Sequence, residues 1–264
     1  FPLKKMITHP SASKIKHVMK KDPVSVRTDD TIETVAQTIE KYDLVALPVV
    51  DSIGRLVGRI TVDDVMDEVR EQAERDYQLA SGLSQDVETD DSVFRQTTAR
   101  LPWLLIGMIG GIGNSMILGN FDSTFAAHPE MALYIPLIGG TGGNVGTQSS
   151  ALVVQGLANS SLDAHNTWKQ IVKESVVAVI NATIISMLVY IYNFIRFGAT
   201  ATVSYSVSVS LFAVVMFASI FGTLVPMTLE KLKIDPAIAT GPFISITNDI
   251  IGMMLYMGIT VLLS

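Results

Sequence analysis

Cysteine is absent from this chain of 264 residues, and charged side chains are scarce in its second part. The lack of cysteine excludes disulfides and thiolate metal sites. Residues 1–99 hold 13 Lys or Arg and 18 Asp or Glu. Residues 100–264, although more numerous, hold only 6 Lys or Arg and 7 Asp or Glu. Because hydrophobic residues make up 48% of the chain, this asymmetry predicts a polar N-terminal part followed by a part that lies in an apolar medium.

Five apolar runs follow Arg100. Each reaches the ~20 residues that a helix needs to cross the hydrocarbon of a bilayer. They span approximately 101–120, 131–158, 172–197, 203–227 and 236–263. A soluble domain of this length could not supply a second layer to bury them. We therefore predict a mainly α membrane protein whose five transmembrane helices occupy residues 100–264.

Basic residues in the short connections predict the orientation of these helices. Every second connection carries a pair of them: Arg95 with Arg100, Lys169 with Lys173, and Lys231 with Lys233. The alternate connections carry only Arg196. The positive-inside rule therefore predicts a cytoplasmic N-terminal domain and a C-terminus on the outside.

The N-terminal part combines a helical pattern with two β-prone runs. Asp30 and Glu33 have the spacing of a capping box, and apolar residues with helical periodicity follow at Ile32, Val35, Ala36 and Ile39. The runs "ALPVVD" and "RLVGRI", separated by "SIG", predict a hairpin, and a second helix is predicted to begin near Thr61. This order, closed by "GRITVDD", resembles a small α/β cystathionine-β-synthase (CBS) repeat over residues 15–70.

The CBS resemblance implies a regulatory module that works in pairs and often binds ATP or another adenine nucleotide. Thr61 and Asp64 match the threonine and aspartate that contact the ribose. Alternatively, the two residues form a helix cap and leave a solvated carboxylate. The opening "FPLKKMI" resembles the tail of a preceding repeat, so residues 1–62 are predicted to hold that tail and one full repeat.

Residues 63–99 are predicted to form an acidic amphipathic connecting helix and a linker. Between 63 and 91 the sequence has eleven acidic residues against two arginines. Like charges at i and i+4 weaken a helix, and hard divalent cations such as Mg²⁺ prefer oxygen ligands. The helix could therefore sense Mg²⁺, or it could simply present a solvated acidic face. The candidate sensing residues are Asp63, Asp64, Asp67, Glu68, Glu71, Glu74 and Asp76.

Polar residues interrupt the second and fifth apolar runs. The second contains "GGTGGNVGTQSS", in which Gly143 could offer a backbone carbonyl and Asn144 a side-chain oxygen to a hydrated cation. Close helix packing by small residues is the alternative. In the fifth run, Asp249 has Ser245 and Gly252 on its helical face. A carboxylate inside a membrane should face protein or water, so we expect it to bind a cation; a protonated group within the bundle is the alternative.

Taken together, the CBS repeat, the acidic helix, "RLPWLL", "GTGGNVGTQS" and "DPAIATGPFISITNDIIG" resemble the MgtE family of bacterial magnesium channels and transporters. The resemblance implies a homodimer with a pore on its two-fold axis, lined by the second and fifth helices. It also implies that Asp249 and Asn144 lie in this pore, in the plasma (inner) membrane, with lipid around it. Gly143, Ser245 and Gly252 are the further candidates for the pore.

In the MgtE family, high cytosolic Mg²⁺ binds the acidic cytoplasmic elements and closes the pore. Members usually carry an acidic N-terminal domain and a first CBS repeat ahead of this point, so a longer protein is expected. The resemblance implies passive entry of hydrated Mg²⁺ into the cytoplasm, and we expect neither enzymatic activity nor a nucleic-acid partner. A divalent cation exchanger coupled to Na⁺ or protons is the alternative.

Two other classes of function fit the sequence less well. An intramembrane aspartyl protease needs two carboxylates that share a proton, which one aspartate per chain could supply only across a dimer axis. A sensor that is merely anchored in the membrane would not need polar residues in two separate apolar runs.

Overall fold

A computed structural model describes residues 7–10, 12–19, 21–158, 167–198 and 202–263. These residues form two compact units that divide between Glu74 and Arg75. The first unit contains a small sheet with helices, and the second contains the long apolar helices.

The first unit has a three-stranded sheet in the order β1-β2-β3, with β1 parallel to β2 and β2 antiparallel to β3. The predicted hairpin is therefore confirmed, and Gly54 in its turn has the positive φ of 78° that favours glycine. The elements are α1 (Ile15–Val18), β1 (Val26–Arg27), α2 (Ile32–Tyr42), β2 (Ala46–Val50) and β3 (Leu56–Thr61).

The core of this unit consists of apolar side chains from the sheet and two helices: Val26, Val35, Ile39, Leu47 and Val65. The helical periodicity predicted for α2 is confirmed, but its cap differs. Thr31 accepts a hydrogen bond from the backbone N–H of Thr34 and is the N-cap. Asp30 instead accepts from the backbone N–H of Arg27, so it belongs to the preceding turn.

Helix α3 (Val62–Ala80) follows β3 directly, as predicted. Thr61 and Asp64 cap its first turn, because the backbone N–H and the hydroxyl of Thr61 both donate to Asp64 Oδ2. These hydrogen bonds, above all the one from the hydroxyl, hold the pKa of Asp64 below its ordinary value. The pair therefore has the arrangement of a helix cap.

Where the structure describes it, the second unit consists of long helices, one short helix and two short 3₁₀ turns. The helices are α4 (Val93–Gly119), α5 (Asp122–Ala127), α6 (Ile135–Ala158), α7 (Thr167–Phe197), α8 (Thr202–Lys231) and α9 (Pro242–Leu263). Within the described ranges, α4, α7, α8 and α9 are long and apolar enough to cross a membrane, judged by length and composition.

Helix α8 lies at the centre of this unit and packs against α6, α7 and α9, whereas α4 packs mainly against α9. Glycines permit a close approach between α6 and α8. A Cβ added to Gly222 would overlap the carbonyl of Gly146, and one added to Gly142 would lie 2.9 Å from Val214 Cγ1. The two backbones therefore touch, as small residues allow in membrane bundles.

The last apolar run differs from the prediction at its start. Asp235 caps only a 3₁₀ turn over Pro236–Ala239, and α9 begins at Pro242 after Gly241, whose φ is 50°. Asp249 therefore lies seven residues after the start of α9 and 14 before Leu263, about one helical turn from the middle of the helix on the side of its start.

A 3₁₀ segment, Pro129–Tyr134, leads into α6, and two buried tyrosines hold it in place. The hydroxyl of Tyr134 donates to Asn193 on α7, and the hydroxyl of Tyr256 on α9 donates to the carbonyl of Met131 at 2.8 Å. One end of α6 is thus tied to two neighbouring helices.

Candidate pore-lining site and comparisons with known proteins

A cavity of about 320 Å³ lies between α4, α6 and α9. It brings together four of the predicted pore residues, Gly143 and Asn144 from α6 and Ser245 and Asp249 from α9. The other lining residues are Asn114, Ile135, Pro136, Gly139, Gly140 and Met253. Two helices that are distant in sequence thus contribute polar groups to the same space.

Glycines of α6 allow the Asp249 carboxylate to approach the backbone of that helix. A Cβ added to Gly139 would lie 3.4 Å from Asp249 Oδ1. One added to Gly143 would lie 3.6 Å from the same oxygen and 2.9 Å from Ser245 Oγ. The glycine-rich segment therefore serves packing and cavity formation at once, because side chains on this face would fill the space beside the carboxylate.

The Asp249 carboxylate is unpaired among the described residues. In the part of the chain that the structure describes, it forms neither an ion pair nor a hydrogen bond. A half-buried carboxylate beside a serine hydroxyl and asparagine amides presents oxygen atoms to the cavity. Such a set suits a hard cation that keeps much of its water shell.

Gly252 and Asn248 lie on other sides of α9. Gly252 is buried, and its nearest neighbour is Val214 of α8, so it does not line the cavity. Asn248 is 1% exposed and lies against Gly146, and among the described residues its side-chain oxygen and nitrogen have no hydrogen-bond partner.

Asn114 on α4 is a cavity residue that the sequence reasoning missed. Its Oδ1 is buried without a hydrogen-bond partner among the described atoms, and the residue lines the same space as Asp249. The available signal was an amide within the apolar stretch "GGIGNSMIL", which we did not single out.

Glu174 on α7 is a second residue that was missed. It is 8% exposed, and its Oε1 accepts hydrogen bonds from Ser149 on α6, at 2.6 Å, and from Ser219 on α8. The signal in the sequence was a lone carboxylate two residues inside the third apolar run. Glu174 does not line the cavity described above.

The predicted sensing residues lie along α3, with Asp63 to Glu74 in the first unit and Asp76 in the second. Glu74 pairs with Arg70 at 2.9 Å, and Asp64 takes part in the cap described above. Over the described ranges, no three His, Cys, Asp or Glu side chains converge as they would around a metal ion. Any Mg²⁺ bound here would therefore need water or further oxygen ligands.

A second cavity, of about 370 Å³, lies in the first unit against its sheet and α2. Its lining residues are Val26, Arg27, Thr28, Asp30, Ile32, Val35, Val49, Ile60 and Glu68. Thr61 and Asp64, the candidates for ribose contact, are not among them.

Comparisons with known proteins cover both units. The family model MgtE, described as a divalent cation transporter, matches residues 135–259, and the CBS domain model matches residues 15–71. The predicted CBS repeat is thereby confirmed. The match ends one residue beyond the predicted resemblance over 15–70, and the domain boundary at residue 62 stays a prediction.

Three bacterial proteins named magnesium transporter MgtE are similar to this chain. The Bacillus subtilis protein is 35% identical over 86% of this chain and 50% of its own length. The Thermus thermophilus protein is 33% identical over 99% of this chain and 58% of its own length. The Enterococcus faecalis protein is 30% identical over 97% of this chain and 56% of its own length. The chain thus spans between half and three fifths of these relatives. One protein named as an enzyme, a homoserine O-acetyltransferase from Methanohalobium evestigatum, matches only 19% of the chain.

Proposed function

Because this chain belongs to the MgtE family of divalent cation transporters and is not an enzyme, we propose that it conducts hydrated Mg²⁺ into the cytoplasm across the bacterial plasma membrane. The observation that carries the proposal is the cavity where Asp249 lies without an internal partner beside Ser245, Asn144 and Asn114. An unneutralised carboxylate in a membrane domain is costly, and a passing cation offsets that cost.

We propose that α6 also crosses the membrane, which brings the number of transmembrane helices to five. Its glycines and hydroxyls lower its hydropathy, but its 24 residues at ~1.5 Å each are long enough to cross the hydrocarbon. It packs against α8 and α9, which would shield its polar face from lipid. Five crossings agree with the distribution of basic residues, which favours a cytoplasmic N-terminal domain and an external C-terminus.

The pore would lie on the two-fold axis of a homodimer, lined by α6 and α9 of both copies. Asn144 is exposed on the surface of α6 beside the cavity, which suits a side chain that faces a water-filled path. Each copy would contribute one Asp249. Because Mg²⁺ loses its water reluctantly, the two carboxylates would attract the ion and bind its inner water shell. The oxygens of Asn144, Asn114 and Ser245 would accept hydrogen bonds from that shell.

Electrical recording from the protein in planar bilayers, with Mg²⁺ as the only permeant cation, tests this mechanism. We expect a Mg²⁺ current that reverses at the Nernst potential of Mg²⁺ and is unchanged by gradients of Na⁺ or pH. A flux that stops when the Na⁺ or proton gradient is removed would contradict passive conduction and favour the cation exchanger.

Gating by cytosolic Mg²⁺ is proposed to depend on the carboxylates of α3. Asp63 and Asp67 are exposed one turn apart, so replacing both with asparagine removes two negative charges from one face. We expect the Mg²⁺ concentration that half-inhibits the current from the cytoplasmic side to rise at least about tenfold, because each lost charged ligand is worth ~1.5–3 kcal/mol.

The matched control for this gating experiment is Asp90→Asn, an exposed acid outside the helices. It should leave the half-inhibitory concentration unchanged. An equal shift in the control would mean that overall charge, and not α3, sets the sensitivity to Mg²⁺.

Binding of ATP or another adenine nucleotide to the CBS repeat stays a prediction. Thr61 and Asp64 are hydrogen-bonded to each other as the cap of α3, so a ribose that used both side chains would have to replace that bond. The residues present therefore suit the helix cap better than a nucleotide site.

A further inference from the structure

The buried carboxylate of Glu174 joins three helices of the membrane domain. Its Oε1 accepts from Ser149 on α6 and Ser219 on α8, and the two serine oxygens lie 3.0 Å apart. Ser149 is 5% exposed and Ser219 is 2% exposed. Among the described residues, no basic side chain forms an ion pair with Glu174. In the described part of the chain, hydroxyl groups alone hold this carboxylate.

The bond to Ser149 fixes the rotation of α6 about its own axis. Successive residues of an α-helix are 100° apart, so Ser149 and Gly143, six residues earlier, point about 120° away from each other. Ser149 lies on the face that packs on α7 and α8, and Gly142 on the same side lies against Val214 of α8. Gly143 lies on the cavity face, opposite Ser245 and Asp249. Fixing one face therefore fixes the other.

The hydrogen bonds of Ser149 add to packing in fixing this rotation. Small residues let helices approach closely, but they offer few bulky side chains that would resist turning or sliding. A buried polar network has fewer acceptable arrangements, since any displacement leaves donors or acceptors unpaired in a medium without water.

We propose that Glu174 is a positioning residue, which through Ser149 and Ser219 holds α6 in the rotation that places Gly143 and Asn144 opposite Asp249. The residue acts on the cavity from a distance. This role rests on the proposed function only in its effect on transport; the effect on the α6–α9 register is independent of what the protein conducts.

A disulfide between α6 and α9 reports this register directly, because this chain contains no cysteine. A Cβ at position 143 would lie 2.9 Å from Ser245 Oγ and 3.8 Å from Ser245 Cα, which suits the geometry of a disulfide. In the reconstituted chain carrying G143C and S245C, we expect rapid cross-linking with copper phenanthroline. We expect E174A to lower the yield at fixed time by about tenfold, since it removes two intramembrane hydrogen bonds.

Three further variants distinguish positioning from general destabilisation. E174Q keeps an acceptor oxygen and should retain the cross-link within about twofold. S149A should lower the yield about threefold. Its control is S150A. The adjacent Ser150 is 0% exposed, and its hydroxyl has no partner among the described residues.

The same variants without the cysteines would be compared for Mg²⁺ flux. S149A should raise the Mg²⁺ concentration of half-maximal flux, and S150A should not. Equal cross-linking in S149A and S150A, or a loss in E174Q as large as that in E174A, would overturn the positioning role. If the variants change the cross-linking yield but the unmodified protein transports no Mg²⁺, the positioning role stands and the proposed transport is rejected.

Discussion

Replacing Asp249 with asparagine is expected to lower Mg²⁺ uptake into liposomes by about 100-fold or more. Each subunit of the proposed dimer would lose the only carboxylate that lines the described cavity, and an interaction with a charged group is worth ~1.5–3 kcal/mol. The amide has nearly the same size as the carboxylate, so the packing against Gly139 and Gly143 should persist. Uptake is measured with a Mg²⁺-sensitive dye enclosed in the liposomes.

The control for this substitution is Asp122→Asn, which removes an exposed carboxylate at the start of α5, away from the cavity. It should transport normally. Size-exclusion profiles of both variants should match that of the unmodified protein, because neither change adds bulk. Normal uptake by a well-folded Asp249→Asn protein would reject Asp249 as the conduction site.

Replacing Gly222 with alanine is expected to disrupt the membrane domain. The new methyl group would overlap the backbone carbonyl of Gly146, and a helix backbone cannot yield as a flexible side chain can. Overpacking of this kind typically costs ~1–3 kcal/mol, and α6 and α8 would have to separate. We expect Tm in detergent to fall by about 5 °C, as measured by size exclusion after heating.

Gly258→Ala on α9 is the matched control, because an added Cβ there meets no atom within 4 Å. It should keep Tm unchanged or raise it slightly, since alanine favours helix more than glycine does. A melting temperature for Gly222→Ala equal to that of the control would show that α6 and α8 approach less closely than the structure has them.

Local patterns in the sequence were sufficient to predict the long elements. The hairpin was predicted from two β-prone runs separated by a short segment with a glycine. Helix α3 begins where the sequence predicted it. The lack of charge after Arg100 indicated the apolar helices. Composition alone, however, identifies only four of the described helices as candidate spans, because α6 contains amide side chains as well as many glycines and hydroxyl groups.

The start of α9 shows where local signals are insufficient. Asp235 and Pro236 are good start signals, and Asp235 does cap a turn, but the turn is 3₁₀ and ends before Gly241. A proline after an N-cap fixes the first residues without specifying how far the helix continues. The helix proper then begins at Pro242, and this moves Asp249 toward one end.

The candidate site could be predicted only in part. Asp249, Ser245, Asn144 and Gly143 are unusual in their own segments, and the fold brings them to one cavity. Gly252 lies on the same run but faces α8, because helical spacing does not tell which neighbour each face will meet. Asn114 and Glu174 acquire their roles from helices far away in sequence, and no local pattern encodes those contacts.

The tyrosine hydrogen bonds at the 3₁₀ segment have a mechanical consequence for α6. Tyr134 and Tyr256 anchor the end of the helix near Ile135, whereas Ala158 lies at the opposite end. The bonds of Ser149 to Glu174 and Ser219 hold α6 at a second point, beyond its middle. Displacements should then be largest after Ser149, toward Gln155, so a small bend of α6 would leave Gly139 and Asn144 almost unmoved.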